Sequence, residues 1–451
     1  MQETGYIHLS IEEIETLLEQ GKQEELRERL THVHPADIAD FLDELEGDQA
    51  VAVFSLLTIP IGSEVLDETG GIIRQELVEK VDDEMLADLL DELPMDDAAE
   101  FLEDLPEPVS DRLLGLMEPD EAADVQELLS YEEETAGRLM NRDVAALRRH
   151  WTVEETFTFL RSLEDAETLH YLYVVDAEDR LLGVVPLRIL IMSQPNATIG
   201  EIMTQGVVSV TYTADQEELA EMVSRYDYFA IPVVDQQERL LGVVTHDDVL
   251  DILEEEVTED IQRLGGSEPL DQPYFAVSPF RVVQKRIGWL LLLFVAAIMT
   301  AKVLQLFEES LTAVLALSFF IPLVTGTGGN AGSQTVATII RAITLDEVRL
   351  SNLLSAWRRE IVVAMTLGMV MGLCGFGVVT ILTGDIQVAW VVAVTLPVVV
   401  MWAITIATVV PIIANHFKID PTVISGPMIT TIVDASALLV YFLLASLLLG
   451  I

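Results

Sequence analysis

A run of small and polar residues interrupts an apolar stretch of the C-terminal half, from Pro322 to Gln334 (PLVTGTGGNAGSQ). Proline and glycine at membrane depth predict an opened helix hydrogen-bond ladder. The freed carbonyls, with the amide oxygens of Asn330 and Gln334, would be hard ligands suited to a hydrated cation. Asn330 and Gln334 also share one helix face. The alternative interpretation is close helix packing through small residues. We predict an ion path lined by Gly328, Gly329, Asn330 and Gln334.

The last apolar stretch contains an aspartate, Asp434, at the end of the sequence GPMITTIVD. A carboxylate at membrane depth is costly unless it is hydrated or paired, so Asp434 is a candidate pore residue. Thr430, one turn earlier, faces the same way. The alternatives are that Asp434 caps a broken helix or pairs with Lys302.

The number of carboxylates decides which ion fits. One aspartate per subunit cannot strip a small hard ion of its water, but a symmetric pair facing across a dimer axis could hold a hydrated Mg²⁺. Ca²⁺ takes about six to eight oxygen ligands, so a site with few charged ligands favours Mg²⁺.

The helices that must position these residues lie in the C-terminal half. Charged residues crowd the chain up to Pro279, whereas long stretches beyond Ile287 carry almost none. About 20 apolar residues are enough to cross a bilayer. We predict an α-helical transmembrane domain over residues 284–451, with five spans near 287–306, 312–340, 361–382, 387–414 and 422–449.

Basic residues between the predicted spans set their orientation. They precede the first span and lie between the second and third and between the fourth and fifth, whereas the connectors FEES and TGDIQ carry none. By the positive-inside rule, the N-terminal half is cytosolic and the C-terminus of this multi-pass protein lies outside the cell membrane. The first residues, MQETGYIHLS, lack the basic and apolar regions of a signal peptide, so no cleavage is expected.

The soluble half is strongly acidic. Ahead of Phe280 the chain holds 67 of its 75 Asp and Glu residues but only 16 of its 25 Lys and Arg residues. Such a surface repels nucleic acid and favours cations. Adaptation to a salty cytosol gives the same composition, so both explanations stay open. The single cysteine, Cys374, excludes a disulfide framework and a cysteine metal site.

Short amphipathic helices are predicted over residues 10–139, where apolar residues recur at helical spacing. The strings ADFLDEL at 39–45, ADLLDEL at 87–93 and AEFLEDL at 99–105 are near copies, and the last two precede Pro94 and Pro106. The repetition predicts a helical superhelix over residues 1–136. Each unit would bury its apolar face on a neighbour, and proline would end the helix after each copy.

An internal duplication follows between Met140 and Leu253. The strings VVD at 174–176 and RLLGVV at 180–185 recur at 233–235 and 239–244, a constant offset of 59 residues. Strand and helix patterns in each half predict a pseudo-two-fold α/β pair over 137–200 and 201–254. The pair resembles tandem cystathionine-β-synthase-type (CBS) domains. That resemblance implies a regulatory module that dimerises, with an adenine nucleotide such as ATP as a candidate ligand.

A charged helix is predicted over residues 247–264, and its C-terminal part with the linker that follows forms a predicted connector over residues 255–283. The order of superhelix, CBS-like pair, connecting helix and five spans carrying PLVTGTGGNAGSQ and DPTVISGPMITTIVD resembles the MgtE family of magnesium channels. The resemblance implies a homodimer with its pore between the subunits, where Asp434 binds hydrated Mg²⁺ and Asn330 lies nearby. It also implies cytosolic Mg²⁺ sites, which map to Glu217, Asp227, Asp248, Glu256, Glu259, Asp260 and Asp420, with Asp88 or Asp91 as the partner from the superhelix.

The expected function is Mg²⁺ uptake through a channel in the lipid bilayer that cytosolic Mg²⁺ closes. At low Mg²⁺ the acidic domains repel one another, and at high Mg²⁺ bridging ions would draw the connecting helices over the pore. The alternative is a coupled Mg²⁺ or Co²⁺ antiporter with a nucleotide-sensing module. An enzyme is not expected, because the chain has neither a Walker A string nor a His-Glu-x-x-His motif and its seven histidines are scattered.

Overall fold

The computed structural model of the chain describes residues 9–163, 169–270, 274–275 and 277–450. Its internal contacts divide between Glu256 and Val257 into two compact units. The predicted connector, 255–283, therefore straddles this division, and its residues 271–273 and 276 lie outside the described residues.

Ten short helices open the first unit, as the apolar spacing predicts. Ser10 begins the first of them with a capping box to Glu13, which satisfies two backbone N–H groups that the first turn leaves without partners. Pro94 and Pro106 stand at the N-caps of α8 and α9, so each proline begins the next helix, and the preceding helix has already ended. The helices are α1 (Ile11–Glu19), α2 (Gln23–Leu30), α3 (Pro35–Glu44), α4 (Gly47–Phe54), α5 (Ile59–Glu68), α6 (Gly71–Lys80), α7 (Asp83–Leu90), α8 (Met95–Glu103), α9 (Glu107–Leu114) and α10 (Pro119–Leu128).

Two small sheets follow, and their registers repeat the sequence duplication. Tyr171 pairs with Pro186 in the first sheet, and Ala230 pairs with Thr245, 59 residues later, in the second. Each sheet begins with a short parallel pair and continues with an antiparallel one. The first half contains β1 (Ala146–Arg148), α11 (Val153–Leu160), β2 (Tyr171–Val175), β3 (Leu181–Pro186), α12 (Leu187–Met192), α13 (Ile199–Ile202) and β4 (Thr204–Gln205), and the second contains β5 (Val210–Thr211), α14 (Gln216–Tyr226), β6 (Ala230–Val234) and β7 (Leu240–Thr245).

One hydrophobic core joins the superhelix to the second α/β half. It contains Met95 and Phe101 from α8, Ile231 from β6, and Val249 and Ile252 from the helix that follows β7. The first half has a separate core around Leu147 and Val174. The superhelix and the second half therefore fold against each other, because neither could bury these side chains alone.

The connecting helix α15 runs continuously from His246 to Leu264. The predicted domain boundary between residues 254 and 255 thus falls within this helix. Gly265 and Gly266 end it, and Gly266 adopts a φ of 76°, which glycine tolerates best.

Among the described residues of the second unit, four helical segments are long and apolar enough to cross a membrane: Pro279–Leu306, Leu350–Thr383, Ile386–His416 and Gly426–Leu449. The expected span near 312–340 takes a different form. Its start folds into two short helices, α17 (Glu308–Ala313) and α18 (Ala316–Phe319), and its remainder is α19 (Ile321–Thr344). The glycines, amides and hydroxyls of α19 lower its hydropathy, but its 24 residues are about 36 Å long, enough to span a bilayer. The long helices are α16 (Pro279–Leu306), α20 (Leu353–Thr383), α21 (Ile386–His416) and α22 (Gly426–Leu449).

Two glycines of α20 lie against α21 at Pro397. Pro397 cannot donate to the carbonyl of Ala393, and a Cβ built at Gly372 would stand 2.6 Å from that carbonyl oxygen. A Cβ at Gly368 would stand 2.7 Å from the Cα of Pro397. The absence of these side chains is what lets the two helices pack at the proline.

Gly372→Ala should therefore destabilise the second unit, Val257–Ile451, which is called the membrane unit from here on. The expected loss is about 1–3 kcal/mol, the usual cost of overpacking, because a backbone carbonyl cannot move aside as a flexible side chain can. Gly377→Ala on the same helix is the matched control, since a Cβ there meets nothing within 4 Å. Thermal unfolding of both purified variants in detergent checks the prediction. Equal melting temperatures would show that the contact with Ala393 does not constrain the packing.

Candidate functional site

The Gly-rich helix α19 packs closely against α22. A Cβ at Gly328 would lie 2.9 Å from Val433, one at Gly329 would lie 2.8 Å from Thr430, and one at Gly332 would lie 2.8 Å from Ile429. Gly328 and Gly329 are both buried. These two glycines, predicted to line an ion path, thus serve helix packing within the subunit, which is the alternative interpretation of the motif.

The helix ladder of α19 is also unbroken from Ile321 to Thr344, contrary to the prediction that proline and glycine open it. The physical reason is position. Pro322 lies in the first turn, where its missing N–H has no intrahelical partner to lose. The glycines lie farther along, where neighbouring helices hold the backbone in place. Free backbone carbonyls are therefore not available as ion ligands at Gly328 and Gly329.

Two hydroxyls link the helices beside the glycines. Ser333 Oγ lies 3.0 Å from Thr430 Oγ1 and donates to the carbonyl of Gly426 at 3.3 Å, and Thr430 Oγ1 donates to the same carbonyl at 3.0 Å. These hydrogen bonds occupy the Thr430 hydroxyl, which is therefore less available to line the predicted ion path. Ser333 was missed by sequence reasoning, although it lies within the motif itself.

The opposite face of α19 carries an exposed polar stripe. Asn330 and Gln334 are both exposed and one turn apart, as predicted, and Gly326 lies one turn before them with nothing within 4 Å of its Cβ position. The helices α19 and α22 run antiparallel, since Gly332 packs against Ile429 while the earlier Gly328 packs against the later Val433. Asp434, which is half-buried and follows Val433, therefore lies at the same level as the turn around Gly328. The structure thus keeps Asn330, Gln334 and Asp434 on neighbouring turns of packed helices.

The predicted ligand Asp420 lies in the loop before α22, where it has other partners. It accepts hydrogen bonds from the backbone N–H and the hydroxyl of Thr422, at 2.8 and 2.7 Å, and the Arg263 guanidinium donates to it at 2.9 Å. Arg263 also pairs with Glu259, another predicted ligand. Sequence reasoning missed Arg263, although its spacing of four residues from Glu259 is the signal of an ion pair on a helix.

Three carboxylates meet in the first unit. Oxygen atoms of Asp96, Asp97 and Asp248 lie within 4.8 Å of one another. Asn141 donates to Asp96 at 3.0 Å, while Thr245 donates its N–H and its hydroxyl to Asp248 at 3.0 and 2.6 Å. This group, the three-aspartate cluster, includes the predicted Asp248 but takes its superhelix partners from the first turn of α8.

The structure does not bring the superhelix partners proposed from sequence into the three-aspartate cluster. Asp88 is exposed on α7 and is not among the acids of that cluster in the described part of the chain. Asp91 accepts hydrogen bonds from the N–H of Glu118, the N-cap residue of α10, at 3.0 and 3.1 Å. The repeat gave equivalent acids to choose among, and only the superhelix packing distinguishes Asp96 and Asp97 from them.

The remaining predicted ligands lie along α14 and α15. Glu217 stands in the first turn of α14 and Asp227 at its end, about 15 Å apart at 1.5 Å per residue. Glu256 accepts a hydrogen bond from Gln216 at 2.8 Å. Asp260 is half-buried on the last turns of α15. A site that used both Glu217 and Asp227 would need ligands from elsewhere.

A second group of acids, absent from the predictions, lies between the superhelix and α15. Desolvation, followed by repulsion from Glu100, raises the pKa of Asp67 to about 6. Desolvation and repulsion from Glu100 and Asp251 raise the pKa of Glu255 to about 7. The raised pKa values mean that these carboxylates hold protons more tightly than free ones do, first because burial disfavours their charged form and second because their charges are crowded together.

Comparison with known proteins decides the family. A family model described as a divalent cation transporter matches residues 321–444, one described as the MgtE intracellular N domain matches 33–134, and CBS domains match 136–195 and 199–255. The magnesium transporter MgtE of Thermus thermophilus is 38% identical over 97% of this chain and 98% of its own length. The chain belongs to the MgtE family.

Other MgtE family proteins agree with this assignment. The magnesium transporter MgtE of Bacillus subtilis is 31% identical over 95% of each chain. The cytosolic domain of an Mg²⁺ channel MgtE, solved in complex with ATP, covers 54% of this chain and 100% of its own, at 39% identity and a TM-score of 0.52. The soluble part of a magnesium transporter covers 55% of this chain and 99% of its own, at 30% identity and a TM-score of 0.50. The predicted MgtE resemblance, CBS pair and multidomain membrane fold are confirmed.

The raised pKa of Asp67 predicts a pH dependence of stability. Its carboxyl binds a proton more tightly in the folded than in the unfolded protein, whose Asp pKa is about 3.9. The resulting stabilisation is complete below pH ~4 and is lost as the pH rises through about 6. Without divalent ions, Asp67→Asn should therefore melt at a higher temperature than the wild type at pH 7, and the gap should narrow towards pH 4. Asp111→Asn, an exposed acid on α9, is the control, and parallel melting curves for Asp67→Asn and the wild type would contradict the assignment.

Proposed function

We propose that this MgtE family protein takes up Mg²⁺ across the cell membrane as a homodimer, through a path lined in each copy by the exposed stripe of α19 and by Asp434 of α22. The observation that carries the proposal is the arrangement of Asn330, Gln334 and Asp434 on neighbouring turns of packed helices in a domain otherwise built of apolar helices. Asn330 and Gln334 supply neutral oxygens, and Asp434 supplies the charge that attracts a cation.

The need for two copies follows from the chemistry of the ion. Mg²⁺ gives up its water reluctantly, and a single carboxylate does not offset that cost. Two Asp434 side chains related by a two-fold axis would hold the hydrated ion between them. The connecting helix supports the pairing, because Val257 and Ile261 lie one turn apart on α15 with 49% and 64% of their surface exposed.

The orientation is part of the proposal. The described connectors that carry bases, between α19 and α20 and between α21 and α22, face the cytosol by the positive-inside rule, which places the N-terminal unit inside and the C-terminus outside. Mg²⁺ then enters towards the acidic domains.

We infer that the three-aspartate cluster senses cytosolic Mg²⁺. Ligand oxygens around octahedral Mg²⁺ lie roughly 3 to 4 Å apart, so carboxylates already within 4.8 Å of one another fit the ion with little movement. Without the ion, repulsion among Asp96, Asp97 and Asp248 would separate α8 from the start of α15. Bound Mg²⁺ would neutralise that repulsion and stabilise the packed arrangement. Because α15 is continuous to Leu264, its position would carry the signal towards the membrane unit.

ATP is a second candidate regulator. The His170 and Phe229 rings stack at 5.3 Å, and Phe229 from the second α/β half is 57% exposed. The His246 ring lies 6.3 Å from Phe229. An exposed aromatic group between the two halves can stack on a purine base, and the ATP complex of the related cytosolic domain supports this ligand.

Asp434→Asn should reduce Mg²⁺ flux into proteoliposomes at least about tenfold, the change produced by losing about 1.4 kcal/mol of ion attraction. Glu347→Gln, which removes an exposed carboxylate elsewhere in the membrane unit, should conduct normally. Both variants must be reconstituted in equal amounts. Normal flux through Asp434→Asn would make Asp434 structural, and flux that requires a counter-ion would identify an antiporter.

Asp97→Asn should raise the internal Mg²⁺ concentration that halves the flux by several-fold, because one ligand of the sensing cluster is lost while the pore is untouched. Asp88→Asn is the matched control on the same superhelix and should leave that concentration unchanged. Flux measured at stepped internal Mg²⁺ separates the two. Equal inhibition curves for Asp97→Asn and the wild type would remove the cluster from the sensor.

A further inference from the structure

The last turn of the connecting helix is joined to the loop before α22 by a guanidinium group. Arg263 Nη1 donates to Asp420 at 2.9 Å, and Arg263 Nη2 pairs with Glu259 on the preceding turn. The Arg263 and Asp420 side chains are 38% and 35% exposed, so water screens the pair only partly. The positively charged Arg263 side chain therefore lies between two carboxylates that come from different segments of the membrane unit.

The loop that receives this contact is itself well ordered by hydrogen bonds. Asp420 caps the short 3₁₀ turn Pro421–Val423 through the N–H of Thr422, a residue that is only 2% exposed. A Cβ at Gly266 would lie 3.3 Å from Pro427, so the chain just past α15 also lies against the start of α22. Movement of the α15 end would thus reach α22 through both contacts.

These contacts conflict with any site in which Glu259 and Asp420, both predicted Mg²⁺ ligands, would hold one ion. Asp420 already accepts hydrogen bonds from Thr422 and the Arg263 guanidinium, and Glu259 faces the same guanidinium. A divalent ion would have to displace a positive group that is attached to the chain and is present at a very high effective concentration. An arginine also keeps its charge at every physiological pH. The donor set therefore does not fit a metal while Arg263 is in place.

We propose that Arg263 acts as a tethered cation at this junction and joins the connecting helix to the loop before α22 in place of a divalent ion. The junction then persists at low Mg²⁺. Cytosolic Mg²⁺ would act on the connecting helix farther from the membrane unit, and Arg263 would transmit that action through Asp420. The proposal concerns ion binding and stability, so it stands or falls independently of Mg²⁺ conduction.

The test counts bound Mn²⁺ by electron paramagnetic resonance and measures the melting temperature of the full-length protein in detergent with EDTA. Asp420→Asn should leave the number of Mn²⁺ ions per subunit unchanged, because Arg263 and not a metal occupies this position. Arg263→Gln should lower the melting temperature in EDTA by several degrees. Arg349→Gln, which removes another ion pair of the membrane unit, with Asp346, should lower it less because that pair is more exposed.

Two results would overturn the proposal. One is the loss of a bound Mn²⁺ ion per subunit in Asp420→Asn, which would show that the position binds a divalent ion despite Arg263. The other is an unchanged melting temperature in Arg263→Gln, which would show that the guanidinium joins nothing. If Arg263→Gln does not fold, Arg263→Lys provides the comparison: the retained charge should restore folding and the wild-type Mn²⁺ count, and a protein that still does not fold would contradict a role based on charge.

Discussion

The membrane unit depends on how closely two helices can approach. Gly328, Gly329 and Gly332 have no side chains where α19 meets α22, and the hydroxyls of Ser333 and Thr430 lie together beside the carbonyl of Gly426 in the remaining space. Between membrane helices such packing and hydrogen bonding replace the hydrophobic effect, because lipid is as apolar as the helices are. The contact has a second consequence. It uses the glycine face of α19, so the amides on the opposite face remain available to water, an ion or a second copy of the chain.

The acidic first unit has carboxylates of two kinds, those dispersed over its surface and those grouped closely enough to bind a cation. Most of its carboxylates are exposed and spread over helix surfaces, where salt screens them. The fold also brings acids together, as in the three-aspartate cluster and in the group that includes Asp67, Glu100 and Glu255. At such a group a cation gains more than it gains from the general surface. Salt adaptation would explain the overall composition, but the three-aspartate cluster has the ligand spacing of a cation site.

Features that depend on residues close together in the sequence could be predicted, whereas features that depend on tertiary contacts could not. The offset of 59 residues predicted strand registers that repeat at the same offset, since strand pairing within each half is local in sequence. The shared face of Asn330 and Gln334 followed from helix period alone. Other features depend on which segments meet in space. They are the packing role of Gly328 and Gly329, the presence of Asp96 and Asp97 in the three-aspartate cluster, and the contact of Arg263 with Asp420. In each of these cases the residue type was compatible with several roles, and only tertiary contacts selected one.

The central claim is that two copies meet along the amide stripe of α19 and conduct Mg²⁺ there. Mild oxidation of membranes carrying Gln334→Cys in a Cys374→Ala background tests it most directly, with Ile381→Cys as the control because that side chain on α20 is 85% exposed. The account predicts a disulfide-linked dimer for Gln334→Cys, blocked Mg²⁺ flux that reduction restores, and little cross-linking for Ile381→Cys. A dimer formed through Ile381→Cys, with Gln334→Cys monomeric and conducting, would contradict it.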